Sequence, residues 1–333
     1  MSRKIKLTFV FLLLLLMKSF AQTDFPVLTG PYLGQSPPSD NPKLFALGVI
    51  STGFDTEHCT FSPDGRECFY SIQIGYFETI LWMRVLDGQW TQPEVAPFCG
   101  KYYTGFPSFH PDGSKLFFHS FRPDSNKIEP SDKARIWYVE KTNGTWGEPK
   151  LLGPEINGKG SVSGPSLTKD GTLYFAQWQD DKRELAVKSE LINGVYQKPT
   201  PLPKEINATE SQFHFAISPD ESFLIIPIGR RDEIAGGGRN YYVSFKNDKN
   251  EWSELIDIGE KIRELKSGSF PSISADGKYF FFQARASIEF TKQVENEFNY
   301  ADLKNSLLSN PAYDRGAIYW IKASFIEELR PLE

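Results

Sequence analysis

Five copies of one short turn constrain this chain more than any other feature of it. They are Phe61-Ser62-Pro63-Asp64-Gly65, Phe109-His110-Pro111-Asp112-Gly113, Leu167-Thr168-Lys169-Asp170-Gly171, Ile217-Ser218-Pro219-Asp220-Glu221 and Ile273-Ser274-Ala275-Asp276-Gly277. Their aspartates stand 48, 58, 50 and 56 residues apart, the length of one four-stranded unit with variable loops. Each turn leads into an aromatic or β-branched run, such as Leu116-Phe117-Phe118 or Tyr279-Phe280-Phe281-Phe282, which reads as a buried strand behind a tight turn. The 27 Phe, 14 Tyr, 26 Gly and 23 Pro fit short strands and turns, and they exclude an all-helical chain.

A second signal recurs later in the units, with an aromatic at a fixed place: Trp90, Trp146, Tyr196 and Trp252. Small sheets repeated at this period bury their flat faces on one another, so the spacing predicts an all-β, five-bladed β-propeller. The segment Asn41-Pro42-Lys43-Leu44-Phe45-Ala46-Leu47-Gly48 resembles the outer strand Glu148-Pro149-Lys150-Leu151-Leu152-Gly153 but has no strands before it. The last unit ends on Ala317-Ile318-Tyr319-Trp320-Ile321, which reads as a third strand. The N-terminal strand is therefore expected to complete the C-terminal blade as a closing latch.

Residues 1–21 read as a secretory signal peptide: Arg3, Lys4 and Lys6 precede an apolar run from Leu7 to Met17, then Ser19-Phe20-Ala21. That run is too short to span a bilayer, so residues 22–333 are expected to form one propeller domain in a periplasm or outside the cell, without membrane insertion. Loss of the leader removes four cations and no acids, taking the formal charge from −5 to −9. No basic stripe is evident, and nucleic acid is not expected as a partner. Cys59, Cys68 and Cys99 are too few for a disulfide scaffold. A hairpin tip at Asp64-Gly65 sets Cys59 opposite Tyr70, with Cys68 diagonal to it, and buried thiols are expected.

The spaced turns resemble those of the TolB-like, WD-repeat-like β-propellers, whose blades carry a Pro-Asp-Gly turn; the resemblance covers about residues 40–330. It implies the propeller fold. That family includes periplasmic proteins that bind partners without catalysis, and related propellers include carbohydrate-active enzymes. Lys169, Ala275 and Glu221 depart from the pattern at turn positions. The repeated aspartates are read as structural, each accepting hydrogen bonds from its own turn.

In a propeller the first strand of each blade lines the central channel, and loops that enter it share a face with those joining second and third strands. Counting back from each turn gives the innermost residues His58, Phe106, Gly164, His214 and Phe270, so two of only four histidines take equivalent places. Near them come Asp55, Glu57, Tyr102, Tyr103, Ser161, Ser163, Glu210, Gln212, Ser267 and Ser269. His110, in a turn, and His119, in a second strand, are read as structural. Loops leaving the second strands carry Gln73, Tyr76, Arg122, Trp178, Arg230, Arg231 and Arg285. Guanidinium forks match carboxylates and aromatic faces stack on sugars, so this rim suits an acidic oligosaccharide, although local acids such as Asp124, Asp232 and Glu233 could pair with the arginines instead.

Elimination from a uronate needs a base beside the carboxylate, a cation to hold it and an acid for the leaving oxygen. His58, His214, Tyr102 and Tyr103 are the candidates for base and acid. Arg122, Arg230, Arg231 and Arg285, with Trp178 and Gln212, are the candidates for binding substrate. The alternative is a non-catalytic propeller that binds a protein or envelope partner. Gly236-Gly237-Gly238-Arg239 lacks the Lys-Ser/Thr ending of a phosphate loop, and no paired Cys or His-x-x-x-His motif points to zinc. No cofactor is expected, and the sequence leaves open whether an ion binds. The stretch 286–316 interrupts the last blade, with Phe290, Val294, Phe298, Leu303 and Leu307 spaced as on an amphipathic helix.

Overall fold

The computed structural model describes residues 25–124, 129–158, 160–179, 184–207, 214–229, 239–262, 265–267, 270–285 and 315–331. Five small antiparallel sheets follow one another along the chain as the blades of a propeller. Their first strands are Asp55–Phe61, Thr104–Phe109, Val162–Leu167, Ala216–Ile217 and Ser272–Ile273. The second strands behind the turns are Glu67–Ile74, Lys115–Ser120, Leu173–Trp178, Phe223–Gly229 and Tyr279–Arg285. Third strands pair with these along most of their length, and two-residue outer strands such as Lys150–Leu151 finish the sheets.

The turns behave as their composition predicts. Asp64, Asp112, Asp170, Asp220 and Asp276 each accept the backbone N–H two residues on, at 2.8–3.1 Å. Gly65, Gly113, Gly171 and Gly277 take left-handed φ of 67–84° at the next position, where a Cβ would be strained. In the fourth copy Glu221 adopts that conformation itself, at φ 61°. Its carboxylate meets Lys246 Nζ at 2.9 Å and Lys188 Nζ at 3.7 Å, and it accepts the Tyr174 hydroxyl, so the residue that breaks the repeat joins blades three and four.

Alternating side chains of each sheet pack into five cores, one at every junction between neighbouring blades. The junction of blades five and one contains Phe45, Phe61, Phe281 and Trp320. Lys43–Leu44 pairs antiparallel with Ala317–Lys322, Lys43 opposite Trp320 and Leu44 opposite Tyr319, as Lys150–Leu151 pairs within blade two. Phe45 N donates to Ile318 O at 2.8 Å, and its buried ring lies 5.1 Å from Trp320 and 5.2 Å from Phe281. Cys59 stands opposite Tyr70, and its Sγ lies 3.7 Å from that of Cys68, both as free thiols. Residues 1–24, 286–314 and 230–238 lie outside the described residues, and with them the leader, nearly all of the interruption of the last blade and the Gly236-Gly237-Gly238 run. Among the described residues no helix is long and apolar enough to cross a membrane.

Candidate active site at the blade-entry mouth

The five innermost positions meet on the axis, where they form a plug. First-strand register shifts between Thr56 and Cys59, Gly105 and Ser108, and Ser163 and Ser166. Phe106, Gly164, His214 and Phe270 take left-handed φ of 44–72°. For the three with side chains this is a costly conformation, held by the packing that results from it. Phe106 stacks on His214 with centroids 3.8 Å apart, Phe270 lies 4.8 Å from Phe106, and His58 lies 5.9 Å from Phe106. Gly164 is required beside them, since a Cβ there would stand 2.6 Å from the His214 ring.

His58 and His214 thus share a level, as their equivalent positions predict, but they are embedded among rings. His58 is 8% exposed, and burial, reinforced by the nearby His119, lowers its pKa to about 3, which keeps the imidazole neutral.

Above the plug, toward the loops that enter the first strands, four ionisable side chains converge. Glu57 and Glu78 are buried. Burial, then the charges of Glu78 and Asp55, push the Glu57 carboxyl up to about 9. Glu57 therefore keeps its proton near neutral pH. Tyr103, half-buried, is driven well above the ordinary phenol range by burial and by the charge of Glu78. His119 Nε2 lies 3.7 Å from Glu78 Oε2, and its ring packs 4.6 Å from Phe106. Gly105 makes this convergence fit, because a Cβ there would fall 1.7 Å from Glu78 Oε1.

The rim is partly occupied by its own contacts. Asp55 accepts Gly316 N at 2.6 Å and faces Arg285 at 3.4 Å, with Arg285 still 49% exposed. Arg122 donates to Phe98 O at 2.7 Å and lies over the Tyr102 and Trp137 rings at 5.8 and 5.4 Å, so packing holds it. Trp178 is 38% exposed. Tyr102 lies beneath Lys101, whose Nζ is 5.1 Å from the ring. Ser161 and Ser163 are tied to their surroundings, Ser161 Oγ accepting Ala134 N at 3.3 Å and Ser163 Oγ meeting Glu184 at 3.5 Å. Arg230, Arg231, Gln212, Glu210 and Ser269 lie outside the described residues.

The geometry thus brings Tyr103, Glu57, Asp55 and Arg285 to one mouth and adds Glu78, which the sequence did not single out, and His119, which it read as structural. A lone glutamate entering the strand Phe77–Leu86 and a histidine closing the run Leu116-Phe117-Phe118 were the available signals. A buried charge in an apolar strand is retained only where partners meet it.

No family model matches the chain, and no curated protein matches it. Solved structures do. The chain is similar to the candidate TolB of Agrobacterium tumefaciens, at 17% identity and a TM-score of 0.46, over 70% of this chain and 71% of that one. It is also similar to a GH62 hydrolase in complex with xylotriose, at 11% identity and a TM-score of 0.47, over 91% and 98% of the two chains. The α-L-arabinofuranosidase of Podospora anserina, in complex with cellotriose, matches at 13% identity and a TM-score of 0.45, over 89% and 95%.

Proposed function

We propose that this is an exported propeller that binds a uronate-containing oligosaccharide at the blade-entry mouth and cleaves it by elimination. The observation that carries the reading is the convergence of the buried Glu57 and Glu78 carboxyls beside the Tyr103 hydroxyl, with Glu57 protonated near neutral pH. In the proposed step the Glu78 carboxylate takes the proton on the carbon beside the substrate carboxylate. The electron pair left behind forms the new double bond, and the bond to the leaving oxygen breaks. Tyr103, still protonated, gives its proton to that oxygen and regains one from Glu78. Arg285 and the protonated Glu57 hydrogen-bond the substrate carboxylate as charge develops on it, a role that a carboxylic acid fills only when its pKa lies above the working pH.

Purified protein incubated with uronate oligomers of several linkages, followed by absorbance of the new double bond and by mass, tests this reading. Unsaturated products from wild type and none from Tyr103→Phe are expected; no change in either signal across the panel would refute catalysis. A second reading, a protein partner held without catalysis, is favoured by one feature of the same face. Phe54, Ile74 and Tyr76 are exposed apolar side chains beside the mouth, Tyr76 completely so. Co-purification of a protein that Tyr76→Ser no longer retains, together with no turnover, would select this second reading.

A further inference from the structure

The plug has a second side. A cavity of about 200 Å³ lies between it and the five turns, opening to the face opposite the Tyr103 mouth. Every residue that lines it stands at the plug position or nearer the turn, and none comes from the loops that enter the first strands. It is therefore separate from the site above, and the room is that of about seven waters.

Two tiers of the repeat build it. Four residues before each turn aspartate stand Thr60, Ser108, Ser166 and Ser272, with Ala216 in blade four, so hydroxyls alternate with ring and proline surfaces on the wall. Ser272 Oγ donates to Cys59 O at 2.6 Å and Ser166 Oγ accepts Ile217 N at 3.1 Å; both bonds join neighbouring first strands and hold the wall rigid. At the entrance, directly before each aspartate, Pro63, Pro111 and Pro219 present apolar faces. Blade three breaks that ring with Lys169, exposed there and anchored by its backbone N to Pro219 O at 2.7 Å. Asp276 also reaches the cavity, but Ser274 Oγ, Lys278 N and Lys278 Nζ hold its carboxylate at 2.7, 3.1 and 3.0 Å. On the inner side the buried ring of His58 forms part of the cavity's floor.

A polar floor, apolar walls and one cation at the entrance define a ligand with polarity at both ends. We infer that this cavity binds a small aromatic acid, its carboxylate on Lys169, its ring between Phe106 and the prolines, and a hydroxyl opposite the carboxylate reaching His58. The His58 ring, which lines the inner end of the cavity, supplies the reason for the hydroxyl, since a neutral imidazole can take part in a hydrogen bond with it.

The probes are 4-hydroxybenzoate, benzoate and 4-hydroxybenzamide, titrated against the full mature chain by ligand-observed NMR and calorimetry. Saturable binding of 4-hydroxybenzoate near 1 mM is expected, an affinity ordinary for about ten heavy atoms, with the other two weaker. Lys169→Glu should raise its Kd by about tenfold. Ser108→Leu, filling the cavity, should remove binding of both acids, and His58→Phe should erase the preference for 4-hydroxybenzoate over benzoate. Tyr103→Phe should bind as wild type does, which keeps this result independent of the mouth above. Absence of saturable binding up to about 10 mM would overturn the inference. So would a Kd unmoved by Lys169→Glu, a surface change that leaves the fold testable even if Ser108→Leu destabilises it.

Discussion

The Phe106 ring lies flat on the His214 imidazole, with centroids 3.8 Å apart and planes within 9°. The two residues come from blades two and four, so this contact crosses the axis and closes the channel between its two mouths. It exists because the backbone at both positions is left-handed, which turns the side chains inward instead of along the sheet.

Phe106→Ala should remove the centre of the plug. Truncating a buried phenylalanine costs about 3–5 kcal/mol where the surroundings do not collapse, and the His58, His214 and Phe270 rings around it, held by three other blades, have little freedom to close in. Urea unfolding checks this, and a midpoint equal to that of wild type would show that the plug adds nothing to stability.

Deleting residues 23–52 removes Lys43–Leu44 and Phe45 from the last blade, leaving the edge of Ala317–Lys322 unpaired and the Trp320 surface uncovered. A lower melting temperature and concentration-dependent association are expected. Light scattering and a thermal scan decide it; a monomer that melts like the full chain would show that this pairing does not secure the ring.

The pH dependence of stability should carry the mark of Glu57. Its folded pKa of about 9 lies above the ordinary 4.5, so between these values the folded state binds more protons than the unfolded, and stability falls as pH rises. His58 acts in the opposite sense over a lower window. With its pKa lowered from 6.5 to about 3, it contributes stability above pH 6.5 that is lost as pH falls toward 3. The two oppose each other between pH 4.5 and 6.5, and Glu57 acts without that opposition from 6.5 to 9. Melting temperatures of wild type and Glu57→Gln should therefore diverge in favour of the variant from pH 6.5 to 9; parallel curves would contradict the buried, protonated carboxyl.

The turn aspartates set the acid limit. Partial burial raises their carboxyls, but hydrogen bonds from neighbouring hydroxyls and backbone N–H groups outweigh it, and all five lie below the usual 3.8. Stability they contribute above that pH is lost as pH falls through their folded values. Replacing Asp112 by Asn should shrink the loss on acidification below pH 4, read by far-ultraviolet circular dichroism.

Arg285→Ala should weaken uronate binding at the mouth more at low salt than at high, since the guanidinium is half exposed and its attraction is screened. Titration at two ionic strengths gives the comparison, and equal losses at both would assign Arg285 to holding Asp55 in place.

Much of the architecture was legible along the chain because it is periodic. A tight turn needs Asp to accept its own N–H and Gly to take a left-handed φ, so Asp64-Gly65 and its relatives announce themselves locally, and counting back from them located the plug positions from His58 to Phe270. The likeness of Lys43-Leu44 to Lys150-Leu151 pointed in the same way to the strand each would join. What the sequence had no means of placing were the relations between blades. Glu78 meets Glu57, Tyr103 and His119 from another strand or another blade, and nothing in Phe77-Glu78-Thr79 signals that its carboxylate will rest against Gly105. Whether His58 faced the entry mouth or the cavity behind the turns depended on one bulge and on rings contributed by blades two, four and five. Turn chemistry is decided within a few residues and is written where it acts. Burial, protonation and the direction of a side chain across the axis depend on groups brought together only when the ring forms, and the tertiary structure alone decided them.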